Sequence, residues 1–535
     1  MIFKENNMTN TVHLISKGLK NSRGRFVILL VVIQSLVCSW GVPLAASQTT
    51  AKSDEGACPE DKMSVTKHQI TVDGKVLKYT ARAGFLPIRD QYGETKARFF
   101  YTAYTLDGES DKKPRPVTFV WNGGPGAPSS LLHFSLLGPR RQEAGGKSGQ
   151  NSSYPVVDNN ETLLRYSDLV MVDPIGTGYS HPLKPEYSEL FWGISQDLDS
   201  VSEFIRIYLT HYDLLEAPIF LIGESYGTFR AAGVAEKLVN KEYELMGIVM
   251  ISTVLKQGLD SDISLALHIP SYAATAFYHK KLVPELQADL QKTLRKAETW
   301  AETEYVGALM RGDRLSSKKR QTAIDNFARF TGLDSKFIDE NNLRVGTDRF
   351  RRQLLSSEKK SVGRYDSRVT GKIMGGAYDP MKDPSLISRG GKPFLFVTYL
   401  RSELEFRIDR LYRGPFGGIW PPPDKPRGDW MAYLWDWGSL LDNKLDQSSG
   451  LAKALRMKDD LRVMFASGLY DLATPYFATE YTISHLGLDP KVRSRVDHRC
   501  YPGGHMMYQD DEVRLKLMHD VFSFYKNALL ANGIN

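Results

Sequence analysis

Apolar and polar residues alternate along positions 68–72 and again along 75–79, with Asp73-Gly74 between the two runs. Period-2 alternation about an Asp-Gly pair predicts a β-hairpin, because a two-residue turn needs positive φ at positions that these residues tolerate. Residues 97–104 predict a further strand. From residue 116 the pattern changes to short, mostly apolar runs at 116–121, 168–172, 219–222 and 246–252. Between the second and third, Leu198, Val201, Phe204, Ile205 and Tyr208 recur on one helical face over residues 196–208. Short buried strands alternating with helices predict a mostly parallel sheet covered on both faces.

That rhythm stops at about residue 259 and returns at 461–466, before a last helix over 512–530. Between them lie helical segments, one with Leu286, Leu290, Leu294 and Ala297 on a single face, and basic or Pro/Gly-rich connections. The pattern therefore predicts an α/β core in two parts, 65–258 and 456–535. A mostly helical cap insertion, 259–455, separates them.

The first 46 residues follow another logic. Lys17, Lys20, Arg23 and Arg25 precede an apolar run from Phe26 to Ile33, and small residues follow at Ala45, Ala46 and Ser47. A basic start, an apolar middle and a small-residue exit predict a secretory signal peptide over 1–46, followed by a polar lead-in over 47–64. The apolar run is shorter than the roughly 20 residues that a spanning helix needs, so no stable membrane anchor is expected. The predicted location is secreted or periplasmic.

Of 535 residues, 42% are apolar and 24% charged, an ordinary soluble composition. More than half of the formal charge of +7 sits in the first 46 residues. The remaining Lys and Arg are scattered, so a nucleic-acid surface is not expected. Three cysteines, Cys38, Cys58 and Cys500, are too few for a disulfide scaffold. Cys58 and Cys500 are left as either a pair or two separate thiols. There is no His-Glu-x-x-His, no paired-Cys spacing and no phosphate loop, so neither metal nor cofactor is expected. His133 and His181 stand alone and read as structural.

The chemistry centres on Gly223-Glu224-Ser225-Tyr226-Gly227. An apolar run precedes it and a helical run follows, the setting of a nucleophile elbow in which a sharp turn lifts a serine hydroxyl out of the sheet. A serine hydroxyl needs a base, and the base needs a group to orient it. In this fold class the order is Ser, acid, His. Asp471, in the loop after the strand 461–466, and His505, in Tyr501-Pro502-Gly503-Gly504-His505, occupy those places. His498 lies in the charged stretch Asp497-His498-Arg499 and reads as surface. A tetrahedral intermediate also needs backbone N–H donors. The N–H groups of Tyr226 and Gly124 are the candidates, the second in the loop Trp121-Asn122-Gly123-Gly124-Pro125-Gly126.

Those motifs, with Asp173-Pro174-Ile175-Gly176-Thr177-Gly178-Tyr179-Ser180, resemble the serine carboxypeptidase family of α/β-hydrolases and occur in family order. Gly363-Arg364-Tyr365-Asp366-Ser367-Arg368 resembles secreted bacterial members. The resemblance implies release of C-terminal amino acids from peptides with a free C-terminus by an acyl-enzyme route. It also implies that Asn122 and Glu224 bind the substrate's terminal carboxylate. Two carboxylates at contact repel, so Glu224 would have to hold or share a proton. The chain departs from the family twice. Leu136 stands where members often carry a second Glu, and Ala127 where a cysteine often follows Pro-Gly. Two other readings stay open: an esterase or acyltransferase with the same triad, and a non-catalytic binding protein on a hydrolase scaffold.

Overall fold

The computed structural model describes residues 63–108, 114–143, 156–256, 261–376, 379–389, 393–414, 435–438 and 445–533. The expected signal peptide and nearly all of the lead-in lie outside them, as does Cys58.

The hairpin forms as its alternation predicts. β1 (Ser64–Val72) and β2 (Lys75–Arg89) pair antiparallel about Asp73 (φ 49°) and Gly74 (φ 74°). The sheet continues through β3 (Thr95–Leu106), β4 (Val117–Trp121), β5 (Asp168–Val172), β6 (His181–Pro182), β7 (Ile219–Glu224), β8 (Leu245–Ile251), β9 (Arg462–Gly468) and β10 (Val496–Tyr501). The spatial order is β1-β2-β3-β5-β4-β7-β8-β9-β10, with β6 beside β3. From β5 to β10 every neighbouring pair is parallel, while β1, β2 and β3 are antiparallel.

β7 explains why such strands read as continuous apolar runs. Ile219 and Leu221 join the apolar cluster on one face, and Phe220 and Ile222 join the cluster on the other. The first face is covered by α1 (Ile194–His211), α2 (Tyr226–Asn240) and α6 (Ser448–Met457). The second is covered by α7 (Asp511–Ala531), through Val513, Leu517, Val521 and Tyr525.

Between β8 and β9 the described chain is mostly helix, including α3 (Ser261–Tyr278), α4 (Leu290–Trp300) and α5 (Ser317–Thr331). A third apolar cluster joins these helices to Leu469, Tyr470, Leu472 and Tyr476. The expected single helical face through Leu286 and Ala297 is broken. Asp289 caps α4 by accepting from Lys292 N at 3.1 Å, so Leu286 belongs to a separate short turn, Pro284–Gln287. Leu286, Leu294 and Ala297 are nonetheless all buried. The sequence reading also missed β10. Asp497-His498-Arg499 is an edge strand, whose His498 bonds Glu480 and Ser467 at 3.0 Å each.

Candidate active site

Parallel strands put their carboxyl ends on one edge of a sheet, and four of those ends supply the site. β4 runs into Asn122, β7 into Ser225, β9 into the Asp471 loop and β10 into the His505 loop.

Ser225 sits at φ 57°, ψ −128°, a conformation that a residue with a side chain adopts only where its surroundings enforce it. Its N–H donates to Ile251 O at 2.9 Å, and its carbonyl accepts from Thr228 N at 2.8 Å. The turn closes so tightly that a Cβ on Gly223 would lie 2.2 Å from Gly227 O. The strand, sharp turn and helix expected around Ser225 are all present, and Ser225 is half-buried among buried neighbours.

Asp471 and His505 meet. His505 Nδ1 lies 2.6 Å from Asp471 Oδ2, and both side chains are buried. Asp471 also accepts from Ala473 N (2.7 Å), Thr474 N (3.0 Å) and Thr474 Oγ1 (2.6 Å), so its orientation is fixed from several sides. Both hydrogen bonds of the His505 ring among the described residues are at Nδ1, the other being with Thr474 Oγ1 at 3.2 Å. Nε2 is thereby the ring nitrogen left for a serine. Burial pulls the His505 pKa down, but the Asp471 and Glu224 carboxylates outweigh it, and the net shift is upward.

The segment 363–368 braces this loop from the insertion. Tyr365 O accepts from His505 N at 2.5 Å, and the Tyr365 ring packs edge-on against the imidazole. Arg364 O accepts from Leu472 N, and Tyr470 O from Ser367 N, both at 3.0 Å.

The glycine loop lies against the elbow. A Cβ on Gly123 would sit 2.6 Å from both Glu224 O and Tyr226 N, so only glycine allows the approach. Gly124 follows at φ 106°. Arg230, fully buried, ties the pieces together. Its Nη1 donates to Asn122 O at 2.9 Å, and its Nε donates to Asp197 Oδ2 at 2.8 Å.

Glu224 and Asn122 also converge. Asn122 Oδ1 accepts from Leu132 N at 3.0 Å, which orients the amide, while its buried Nδ2 has no hydrogen-bond partner among the described residues. Burial raises the Glu224 pKa above the usual carboxylate range, against the opposing pull of His505, Tyr508 and Asn122. Leu136 is fully buried in the apolar core.

The structure thus brings Asn122, Gly124, Glu224, Ser225, Tyr226, Asp471 and His505 to one edge. It adds residues that the sequence reading missed: Thr474, Tyr365, Arg230 and Tyr508. Tyr508 stands one helical turn beyond His505, a spacing that was available as a signal. His133 behaves as a structural histidine, its pKa pushed down to about 3 by burial and its Nε2 2.7 Å from Tyr104 OH. A cavity of about 250 Å³ opens beside the Asp471 loop, lined by Thr253, Leu267, His268, Thr474 and Pro475 among others.

A model of the family described as serine carboxypeptidase matches residues 72–372, more than half of the chain. The chain belongs to the serine carboxypeptidase family. Within that family, carboxypeptidase sxa2 of Schizosaccharomyces pombe is 31% identical over 28% of this chain and 31% of its own length. Serine carboxypeptidase-like 45 of Arabidopsis thaliana is 25% identical over 36% of this chain and 44% of its own. These matches therefore span less than half of the relatives' length. Among solved structures, the prohormone-processing carboxypeptidase KEX1(Δ)p of Saccharomyces cerevisiae shares the α/β-hydrolase fold with a TM-score of 0.51. That superposition covers 84% of this chain and 91% of the other at 16% identity. The family match ends at residue 372, before Asp471 and His505, so their convergence with the elbow rests on the fold itself.

Proposed function

We propose that this protein is a serine carboxypeptidase that releases C-terminal amino acids from peptides through an acyl-enzyme intermediate. Ser225 Oγ attacks the carbonyl carbon of the last peptide bond, and His505 Nε2 takes the hydroxyl proton. Asp471 holds the imidazole in the tautomer that leaves Nε2 free and stabilises the imidazolium. The N–H groups of Gly124 and Tyr226 receive the oxyanion. When the C–N bond breaks, His505 returns the proton to the departing amine. Water then repeats the sequence in reverse roles and frees Ser225.

One observation carries the exopeptidase reading beyond hydrolase chemistry in general. A buried Glu224 with a raised pKa and a buried Asn122, whose Nδ2 has no hydrogen-bond partner among the described residues, stand directly beside the nucleophile. A protonated carboxyl and an amide N–H₂ suit a carboxylate ligand, whereas an ester or an internal peptide bond brings none to satisfy them. We also infer that the segment 259–455 caps the site and that the chain is exported, on the pattern of its first 46 residues. Among the described residues no helix is long and apolar enough to cross a membrane.

The test is a peptide set offered with free and amidated C-termini, read by mass spectrometry. Preferential trimming of free termini, lost in Ser225→Ala, is expected. Equal cleavage of both forms would remove the exopeptidase claim and leave the hydrolase.

A further inference from the structure

Tyr508 is almost wholly buried, and its hydroxyl donates to Glu224 Oε2. It reaches Glu224 from the turn Met507–Gln509, which continues directly from His505. That turn packs against the turn His133–Leu137, where Leu136 offers only apolar surface. The unpartnered Asn122 Nδ2 lies near enough to influence both Glu224 and Tyr508.

A buried phenol needs some acceptor, and packing alone would be content with a backbone carbonyl. The acceptor chosen is instead the carboxyl beside the nucleophile. We propose that Tyr508 is a positioning residue for terminal-carboxylate recognition: it holds Glu224 by one oxygen, so that the other oxygen and Asn122 Nδ2 face the substrate's carboxylate as a fixed pair. This rests on the carboxypeptidase reading and deepens it.

The choice of a phenol has a chemical consequence. Burial and the neighbouring Glu224 keep the Tyr508 hydroxyl protonated well above its ordinary range, so it remains a donor wherever Glu224 titrates. The groups facing Glu224 are His505, Asp471, Tyr508 and Asn122. Of these, Tyr508 and the Asn122 Nδ2 group face Glu224 as donors and do not titrate in its range. The recognition pair therefore carries a single titratable proton, on Glu224, and free-acid binding is lost when that proton leaves.

The test is Tyr508→Phe, which keeps the ring and removes the donor. The ratio of kcat/KM for a free-acid peptide to that for its amide should fall about tenfold, mainly through KM, since a hydrogen bond to a chargeable group is lost. The falling alkaline limb of the free-acid profile should move to higher pH, because Glu224 loses a donor that favours its ionised form. In a Glu224→Gln background Tyr508→Phe should move no limb. The pH at which the limb falls does not depend on how much of the variant is folded, so it remains readable if the Phe variant folds poorly. Equal losses on both substrates with no shift in pH profile would make Tyr508 merely structural and overturn the proposal. So would an unchanged ratio and limb. If the wild-type protein itself fails to distinguish acid from amide, the carboxypeptidase reading falls instead.

Discussion

Replacing Glu224 by Gln tests the recognition chemistry most sharply. Gln has nearly the shape of a protonated Glu and cannot ionise. In the wild type, an ionised Glu224 would face the substrate's carboxylate. Two unit charges about 4 Å apart at an effective dielectric of about 20 repel by about 4 kcal/mol. At about 1.4 kcal/mol per decade, that is about a thousandfold in affinity between the two protonation states. Free-acid kcat/KM should therefore fall by about tenfold per pH unit above the raised pKa of Glu224. The rising limb belongs to His505, which must lose its proton at Nε2 before it can act as base. The Glu224 carboxylate is one of the groups that raise the His505 pKa. The two titrations are coupled, so the limbs report the pair. In Glu224→Gln the alkaline limb should disappear for free-acid peptides, while the acid limb stays in place, because the form of the enzyme that binds a free acid already has a neutral Glu224 beside His505. For the matching amides only the acid limb should move, because no carboxylate is present to be repelled. Steady-state kcat/KM for a free-acid and amide pair across pH decides the matter. An alkaline limb that survives Glu224→Gln would refute the assignment of Glu224 to carboxylate binding. An identical change on the amide would do the same.

Other substitutions address the remaining parts of the site. Asp471→Asn leaves the loop's backbone acceptor in place but turns an N–H₂ toward His505 Nδ1. The tautomer is then wrong, and kcat should drop by about 10⁴ with little change in melting temperature. Gly123→Ala places a Cβ 2.6 Å from Glu224 O and Tyr226 N. It should move the loop off the elbow and lower kcat by at least about 10² on free and amidated substrates alike, measured in single-turnover kinetics. Arg230→Met leaves Asp197 buried without its ion partner and should cost about 3–5 kcal/mol in chemical denaturation. A double variant with Asp197→Leu should recover much of that loss, because neither charge then remains.

What could be read in the chain divides by range. The parallel strands were legible because burial on two faces leaves mostly apolar runs, and the elbow because Gly223 is forced by Gly227, four residues on, although Gly227 itself is held by the distant Trp121 and Asn122. Edge strand β10 was not legible. Only its two ends, Val496 and Tyr501, are buried, and Asp497, Arg499 and Cys500 stand among its six residues. The break before α4 was also hidden, because Leu286 stays buried on either side of it and the apolar period alone carries no trace of the Asp289 cap.

The residues that hold the site are a harder case. Arg230 looks like one more charged position in α2. Its role follows from two contacts made across the sheet edge, with Asn122 O 108 residues away and with Asp197 33 residues away. A buried ion pair brings little net stability over an apolar pair of the same volume. What this one fixes is orientation: the guanidinium is planar and cannot satisfy Asp197 and Asn122 O together unless α1, α2 and the glycine loop hold one relative placement. That loop carries both Gly124 and Asn122, the residues proposed above to receive the oxyanion and the terminal carboxylate. A single buried cation thus fixes the glycine loop relative to α1 and α2, and no local pattern in the chain encodes that placement.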